Sequence, residues 1–294
     1  MVTQHFIHII KIKKDQHIMK FLVPIDFTPV TDNALAYATD LSKHMKGEIV
    51  LLHVNEGGKA AEAEKKSALL QMMATTNQNK SGIECKSMVQ AGSIFDVIGD
   101  IAKKIDTSII VMGTHGVKGM QHIMGSRAMK VMTQSETPYI VVQKLPFCEI
   151  KNMLVPIDFS REIKQVLPLV EGIGKAFNAH IHLLPQKASD EYLHNRVSNN
   201  LLYAKAYFDD NEMNASIINS FFKGDSMCKD TLKAAKEINA DMLVTLIDPE
   251  THIGDYIMGN EEQKIVANEA QIPVLCINLK NIIDRTGEIF SYLS

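Results

Sequence analysis

The chain has 294 residues, 46% hydrophobic and 22% charged, with a formal net charge of −3; this is the balance of globular protein, at a length that suggests two domains. Without a clustered cationic footprint it is not a sequence-independent nucleic-acid binder, and no apolar run is long enough to cross a membrane, so neither partner is expected. Cys85, Cys148, Cys228 and Cys276 fall at no metal-ligand spacing and suit free thiols in a reducing compartment, which makes the expected location cytoplasmic.

In the stretch from Met1 to Lys14 the lysines follow a short apolar run, the wrong order for a secretory signal. Residues 1–18 are therefore expected to be an extension that contributes nothing to the fold, with Met19 as an alternative start. The run Phe21-Leu22-Val23-Pro24-Ile25 predicts a strand buried on both faces, from Lys20 to Ile25, and Asp26 ends it. Ala34, Leu35, Ala38, Leu41 and Met45 repeat at helical spacing between Thr31 and Lys46, with Gly47 as the stop. Glu48 to Val54 reads as a second strand. From Gly57 to about Lys80 the composition is helical, with Ala61, Ala68, Leu69, Met72 and Met73 as the apolar side.

Ile83 to Gln90 is the third expected strand. Ile94, Val97, Ile98, Ile101, Ala102 and Ile105 then form a helical stripe, opened by Ser93 and Asp96 in the manner of a capping box. Ile109 to Met112 is the fourth strand, Ser126 to Met132 a helix and Tyr139 to Gln143 a fifth strand. Strands and helices in strict alternation call for right-handed crossovers and one parallel sheet.

The fourth strand runs into Gly113-Thr114-His115-Gly116, and Gly125-Ser126-Arg127 follows. A Gly-rich strand-to-helix turn aims several backbone N–H groups at one point without Cβ atoms in the way, which is what an anion needs. Read alone, the same glycines fit an ordinary turn equally well.

Internal repetition sets the domain count. Phe21-Leu22-Val23-Pro24-Ile25-Asp26-Phe27-Thr28 returns, 132 residues later, as Met153-Leu154-Val155-Pro156-Ile157-Asp158-Phe159-Ser160, with six of eight residues identical. Ile109 to Val111 matches Met242 to Val244, and Met124-Gly125 matches Met258-Gly259. So long a period indicates a duplicated domain rather than a solenoid. The expected units are an extension at 1–18, domains at 19–146 and 150–280, and a tail at 281–294.

A strand ending Pro-x-Asp-Phe-Thr, a second ending Leu51-Leu52-His53-Val54, and a Gly-x-x-Gly followed by Gly-Ser together resemble the universal stress protein family, here as a tandem pair of UspA-like units. The resemblance implies an α/β fold of two doubly wound, five-stranded parallel sheets, of the adenine nucleotide alpha hydrolase-like kind, with strand order 3-2-1-4-5. It also implies ATP, AMP or ADP, with or without Mg2+, bound where the strand order reverses. Carried over, Asp26 would lie near ribose and adenine, Pro24 and Ile25 would line the pocket, and the Val54 backbone would read the adenine edge. Met112, Gly113, Gly116, Gly125, Ser126 and Arg127 would surround the phosphates. The segment from Val117 to Met124 is eight residues, one shorter than the family's usual spacing.

The second half departs further: Leu246 and Pro249 stand where the first half has Gly113 and Gly116, Asn260 replaces Ser126, and Pro185 is read as the replacement of Val54. Glu250, Asp255, Glu261 and Glu262 add negative charge there, so this site is expected to have lost its ligand, with Asp158 kept as strand-end structure. Several residues have plainer readings. Asp26 alone would be a helix cap; His53 a satisfied core histidine; His115 a backbone or phosphate contact. His180 and His182 share a strand face without an evident third metal ligand.

Two function classes stand at this point. One is a nucleotide-binding stress-response regulator; the other is an interaction module of the same fold that binds no nucleotide. With no Walker lysine and no assignable acidic pair for magnesium, an enzyme is not expected, slow ATP hydrolysis apart. Any protein partner is unnamed and a homo-oligomer is left open. The last strands of the two halves, Tyr139 to Gln143 and Val274 to Asn278, are expected to pair antiparallel and make the chain its own pseudo-dimer.

Overall fold

The computed structural model describes residues 18–57, 60–114, 124–160, 163–188, 190–218, 226–247 and 261–278. The extension up to residue 17, His115, Gly116, the segment 117–123, Pro249, Asn260 and the tail lie outside them. Among the described residues no helix is long and apolar enough to cross a membrane.

The first half alternates β1 (Met19–Pro24), α1 (Pro29–Met45), β2 (Gly47–Asn55), α2 (Ala60–Ser81), β3 (Cys85–Ala91), α3 (Ile94–Lys104), β4 (Ile109–Gly113), α4 (Met124–Gln134) and β5 (Tyr139–Val142). The second repeats this with β6 (Asn152–Ile157), α5 (Ile163–Phe177), β7 (His180–Pro185), α6 (Glu191–Asp210), β8 (Ala215–Ile217), α7 (Met227–Glu237), β9 (Met242–Ile247), α8 (Glu261–Val266) and β10 (Val274–Asn278). Each half has the expected order, 3-2-1-4-5 in its own numbering. The two sheets merge into one ten-stranded sheet, β3-β2-β1-β4-β5-β10-β9-β6-β7-β8.

Side chains alternate across this sheet, because successive residues of a strand face opposite ways. Phe21, Val23, Ile49, Leu51, Ile109 and Val111 enter one core with α1, α2, α5 and α6. Leu22, Val50, Leu52, Ile110 and Met112 enter the other with α3, α4, α7 and α8. Both faces are covered, which is why the strands read as unbroken apolar runs rather than alternating ones.

Three local expectations change. Helix α2 turns Leu70 and Ala74 inward, fully buried, and leaves Leu69 and Met72 at 47% and 60% exposure. Its apolar residues lie all round the helix, so contact with β2 and β3 chose the face. Helix α1 ends on Lys46, whose φ of 54° makes it the left-handed cap; Gly47 instead opens β2, where a Cβ would sit 2.4 Å from the Phe21 ring. Helix α4 begins at Met124, two residues before the expected start, so Ser126 lies within its first turn.

The halves join through β5 and β10, which pair antiparallel as Val141↔Val274, Ile140↔Leu275 and Tyr139↔Cys276. Both strands are buried along their length. Ile140 and Leu275 hold equivalent places in their halves, so the pseudo-twofold axis passes through this pair. Just past the end of β5 and at the last residue of β10, an amide crosses the axis. Asn278 Nδ2 donates to the carbonyls of Met132, Thr133 and Ser135 at 3.3, 3.0 and 3.1 Å, at the end of α4. Gln143 Nε2 donates to the carbonyls of Val266 and Asn268 at 3.5 and 3.0 Å, at the end of α8. Each half thus satisfies orphan carbonyls at the other's helix terminus. Phe147 of the connecting segment adds an edge-on contact to Tyr37 of α1, ring centroids 4.9 Å apart.

Asn278→Ala removes the amide that the carbonyls of Met132, Thr133 and Ser135 share and is expected to lower stability by about 1–3 kcal/mol, measured by urea denaturation.

Candidate functional site

The carboxyl ends of β1, β2 and β4 open into a cleft of about 280 Å³. It sits where the chain leaves β1 toward β2 on one side and β4 lies on the other, the switch point of this topology. Pro24, Ile25, Asp26, Val54, Met112 and Gly113 all line it. The structure therefore brings together six of the ten residues expected from the sequence. Gly116 lies outside the described residues, and Gly125, Ser126 and Arg127 fall in the first turn of α4 with their side chains outside them.

Other lining residues were not singled out. Ile94 and Ile98 of α3, with Ala128 and Val131 of α4, make an apolar wall. The helical spacing of Ile94 and Ile98 was legible, but it read as core alone. Ser93 opens α3 by accepting from the Phe95 N–H at 3.3 Å, and Glu56 Oε1 accepts from the Ile94 N–H at 3.2 Å. These two contacts hold the wall against the end of β2.

Asp26 is not the helix cap. Thr28 occupies the cap position of α1, followed by Pro29, whose ring suits the first helical turn. Asp26 Oδ1 instead accepts from the Thr28 N–H at 2.9 Å and its hydroxyl at 2.6 Å, closing a turn that leaves the carboxylate exposed. Inside that turn Phe27 has a φ of 64°. A bulky residue there costs about 1–3 kcal/mol and marks a backbone held by its surroundings. His53 is what holds it. Its Nδ1 donates to the Ile25 carbonyl at 2.7 Å, and its ring lies 5.0 Å from that of Phe27. His53 is buried at 6% exposure, yet only one nitrogen is satisfied, since Nε2 has no protein partner.

Gly113 has a different reason from the one expected. A Cβ there would lie 2.4 Å from the Val30 carbonyl oxygen and 3.2 Å from the Thr31 nitrogen. The missing side chain lets β4 approach the first turn of α1; the space a substituent would fill belongs to helix backbone.

Strand register corrects the match between halves. Pro24 pairs with Leu52 as Pro156 pairs with Leu184, so Pro185 stands in the place of His53 and Gln186 in that of Val54. The second half consequently lacks the His53 anchor. There the Ile157 carbonyl accepts from the backbone N–H of Gln186 at 2.8 Å. Asp158 Oδ1 still accepts from the Ser160 N–H at 2.8 Å, as strand-end structure requires.

Other reactive groups lie apart from the first cleft. His180 and His182 stack at 4.2 Å and are taken up by Ser216 and Asn152 through Nε2 contacts of 2.8 and 2.9 Å. Burial, with His180 alongside, holds the His182 pKa below its usual value. Among the described residues no three His, Cys, Asp or Glu side chains gather as a metal site. None of the four cysteines is joined in a disulfide. Burial raises Cys85 to about 11 and pushes Cys276 up as well, so neither is a ready nucleophile.

Residues 17–143 match the model of the universal stress protein family. It is 28% identical over 138 residues to universal stress protein G of Salmonella typhimurium, covering 42% of this chain and 96% of that protein. It is also 28% identical over 140 residues to a Helicobacter pylori universal stress protein, covering 42% of this chain and all of the relative (100%). A solved universal stress protein from Archaeoglobus fulgidus superposes over 88% of this chain and 98% of its own, with a TM-score of 0.72 at 18% identity, so the two-part fold itself is shared.

Gly113→Ala is expected to cost about 1–3 kcal/mol through overpacking against α1, seen as a lower urea midpoint in the absence of any ligand.

Proposed function

We propose that the N-terminal cleft binds an adenine nucleotide, ATP or its di- or monophosphate, and that occupancy regulates conformation or partner contacts. The match of residues 17–143 to the universal stress protein family supports a role in stress response. The observation that carries the nucleotide reading is the convergence of Pro24, Ile25, Asp26, Val54, Met112 and Gly113 on one cleft at the strand switch. The wall of Ile94, Ile98, Ala128 and Val131 suits the flat apolar face of a purine. Asp26 spends Oδ1 on its own turn and keeps Oδ2 for ribose hydroxyls. The phosphates would extend toward Gly125, Ser126 and Arg127, where the first turn of α4 supplies free N–H groups and the positive end of its dipole. Magnesium, if it accompanies the nucleotide, would be held by those phosphates.

The proposed activity is binding and signalling in the cytoplasm rather than catalysis. No histidine, cysteine or lysine among the described lining residues is placed to attack a phosphate; His53 uses Nδ1 to hold the Ile25 carbonyl.

ATP at a hundred times its dissociation constant is expected to add about 2.7 kcal/mol of stability, read as a rise in melting temperature. Asp26→Ala should abolish most of that rise while changing the ligand-free melting temperature by only a few degrees. A melting curve indifferent to ATP would instead favour the non-binding interaction module.

A further inference from the structure

The carboxyl ends of β6, β7 and β9 open into a second cleft, of about 430 Å³. At the opposite, amino ends of β6 and β7 lies a cluster of another kind. Ile181 and Leu183 of β7 enter the core shared with α5 and α6, so His180 and His182 point to the other face, the side of α7. Strand register gives their equivalents in the first half. Asn152 pairs with His180 as Lys20 pairs with Glu48, and Ser216 pairs with His182 as Lys86 pairs with Val50.

At those places the first half ties three strands with opposite charges: Lys86 Nζ donates to Glu48 Oε2 at 2.9 Å, and Lys20 Nζ lies 4.0 Å from Oε1. The second half ties the same three strands with imidazoles, the side chain whose charge ordinarily changes between about pH 5 and 8. His182 Nε2 donates to Asn152 Oδ1 at 2.9 Å, and His180 Nε2 meets Ser216 Oγ at 2.8 Å. The two rings lie on each other, centroids 4.2 Å apart and 10° from parallel. All four side chains are half-buried, so protons reach them. An amide oxygen only accepts, so His182 carries its proton on Nε2 and a further one goes to Nδ1. Neither hydrogen bond opposes that proton, but the stack opposes the second charge. One imidazolium tolerates a neutral ring at this distance; two repel each other.

Among the described residues no carboxylate is placed to relieve that repulsion. Lys151, just before β6, is held by Glu149 at 3.3 Å, and on α7 Lys233 pairs with Glu237 at 4.0 Å. The remaining charged residues of α7 are Lys229, Asp230 and Lys236, and β8 carries none. Burial first, and His180 second, hold the His182 pKa down. What the pair fastens is β8, a strand of three half-buried residues at the outer edge of the sheet. Its ladder runs from Ile181↔Ala215 to Leu183↔Ile217, across the stacked rings. The opposite edge strand, β3, has seven residues.

We propose that the His180–His182 stack is an acid-sensitive clasp: when both rings carry a second proton they part, the tie from His180 to Ser216 is lost, and β8 leaves the edge of β7. The cluster of Lys20, Glu48 and Lys86 contains no imidazole and takes no part in the response. Acid thus uncovers one edge of the sheet and leaves the other closed. The sign follows from linkage. His182 takes up a proton less readily in the folded chain than in the unfolded one, so its contribution to stability is complete above about pH 6.5 and is lost as pH falls below that. The clasp lies at the end of the sheet away from both clefts and does not depend on a ligand in either.

The test is hydrogen exchange of the full chain at about pH 7.5 and about pH 5, corrected for the intrinsic rate of each amide, with the imidazole signals followed by NMR over the same range. Protection of Ala215, Ser216 and Ile217 is expected to fall at least about tenfold more than that of the β3 amides, and the two imidazoles to titrate in separate steps. His182→Val, which installs the equivalent of Val50, should abolish the extra fall and let His180 titrate in one step. His180→Gln, which keeps a donor toward Ser216, should likewise abolish the fall and let His182 titrate alone. Protection of β8 that falls no more than that of β3, an extra fall that persists in both variants, or imidazoles that titrate independently would each overturn the proposal.

Discussion

A parallel sheet covered on both faces still has two edges, and in this chain the inner edges close on each other. The three-residue pairing of β5 with β10 is the one antiparallel ladder among the described residues. It turns two five-stranded halves into one ten-stranded body. Strand pairing alone would fix the register along the seam. The amides of Gln143 and Asn278 also tie each strand end to a helix terminus of the opposite half. A slip of one residue would turn Tyr139 and Val141 from one core to the other and pull both amides off their carbonyls. The seam therefore orients α4 and α8, and with them one wall of each cleft.

Duplication preserved the frame of the clefts and let their chemistry drift. Asp26 and Asp158 close the same kind of turn on the residue two places ahead. Beyond that shared turn the clefts diverge at one position in β2 and β7. His53 holds the Ile25 carbonyl and braces Phe27 in a left-handed conformation. Pro185 cannot do so, and the carbonyl of Ile157 passes to backbone. Phe159 is not among the left-handed residues and its ring is part-exposed at the cleft. One exchange in a buried strand thus alters the shape of a loop on the neighbouring strand, through a single hydrogen bond.

Much was legible in the sequence because it depends on local pattern. Unbroken apolar runs such as Phe21 to Ile25 can be buried only on both faces, and their alternation with helical stripes leaves few topologies. The repeat located the second half, and the motif around Asp26 and Gly113 drew attention to residues that share the first cleft. Tertiary contact decided the rest. The inward face of α2 could not be read, since its apolar residues surround the helix and only packing on β2 and β3 selects Leu70 and Ala74. The role of Gly113 depends on the distance between β4 and the Val30 backbone, residues far apart in the chain. Only packing settled that Leu246, in the place of Gly113, lines an open cleft at the ends of β6, β7 and β9 instead of closing it. Sequence determined which residues are apolar, where strands end and that the unit is duplicated; only the folded chain decided which atoms meet, because those distances arise between segments that one-dimensional pattern leaves independent.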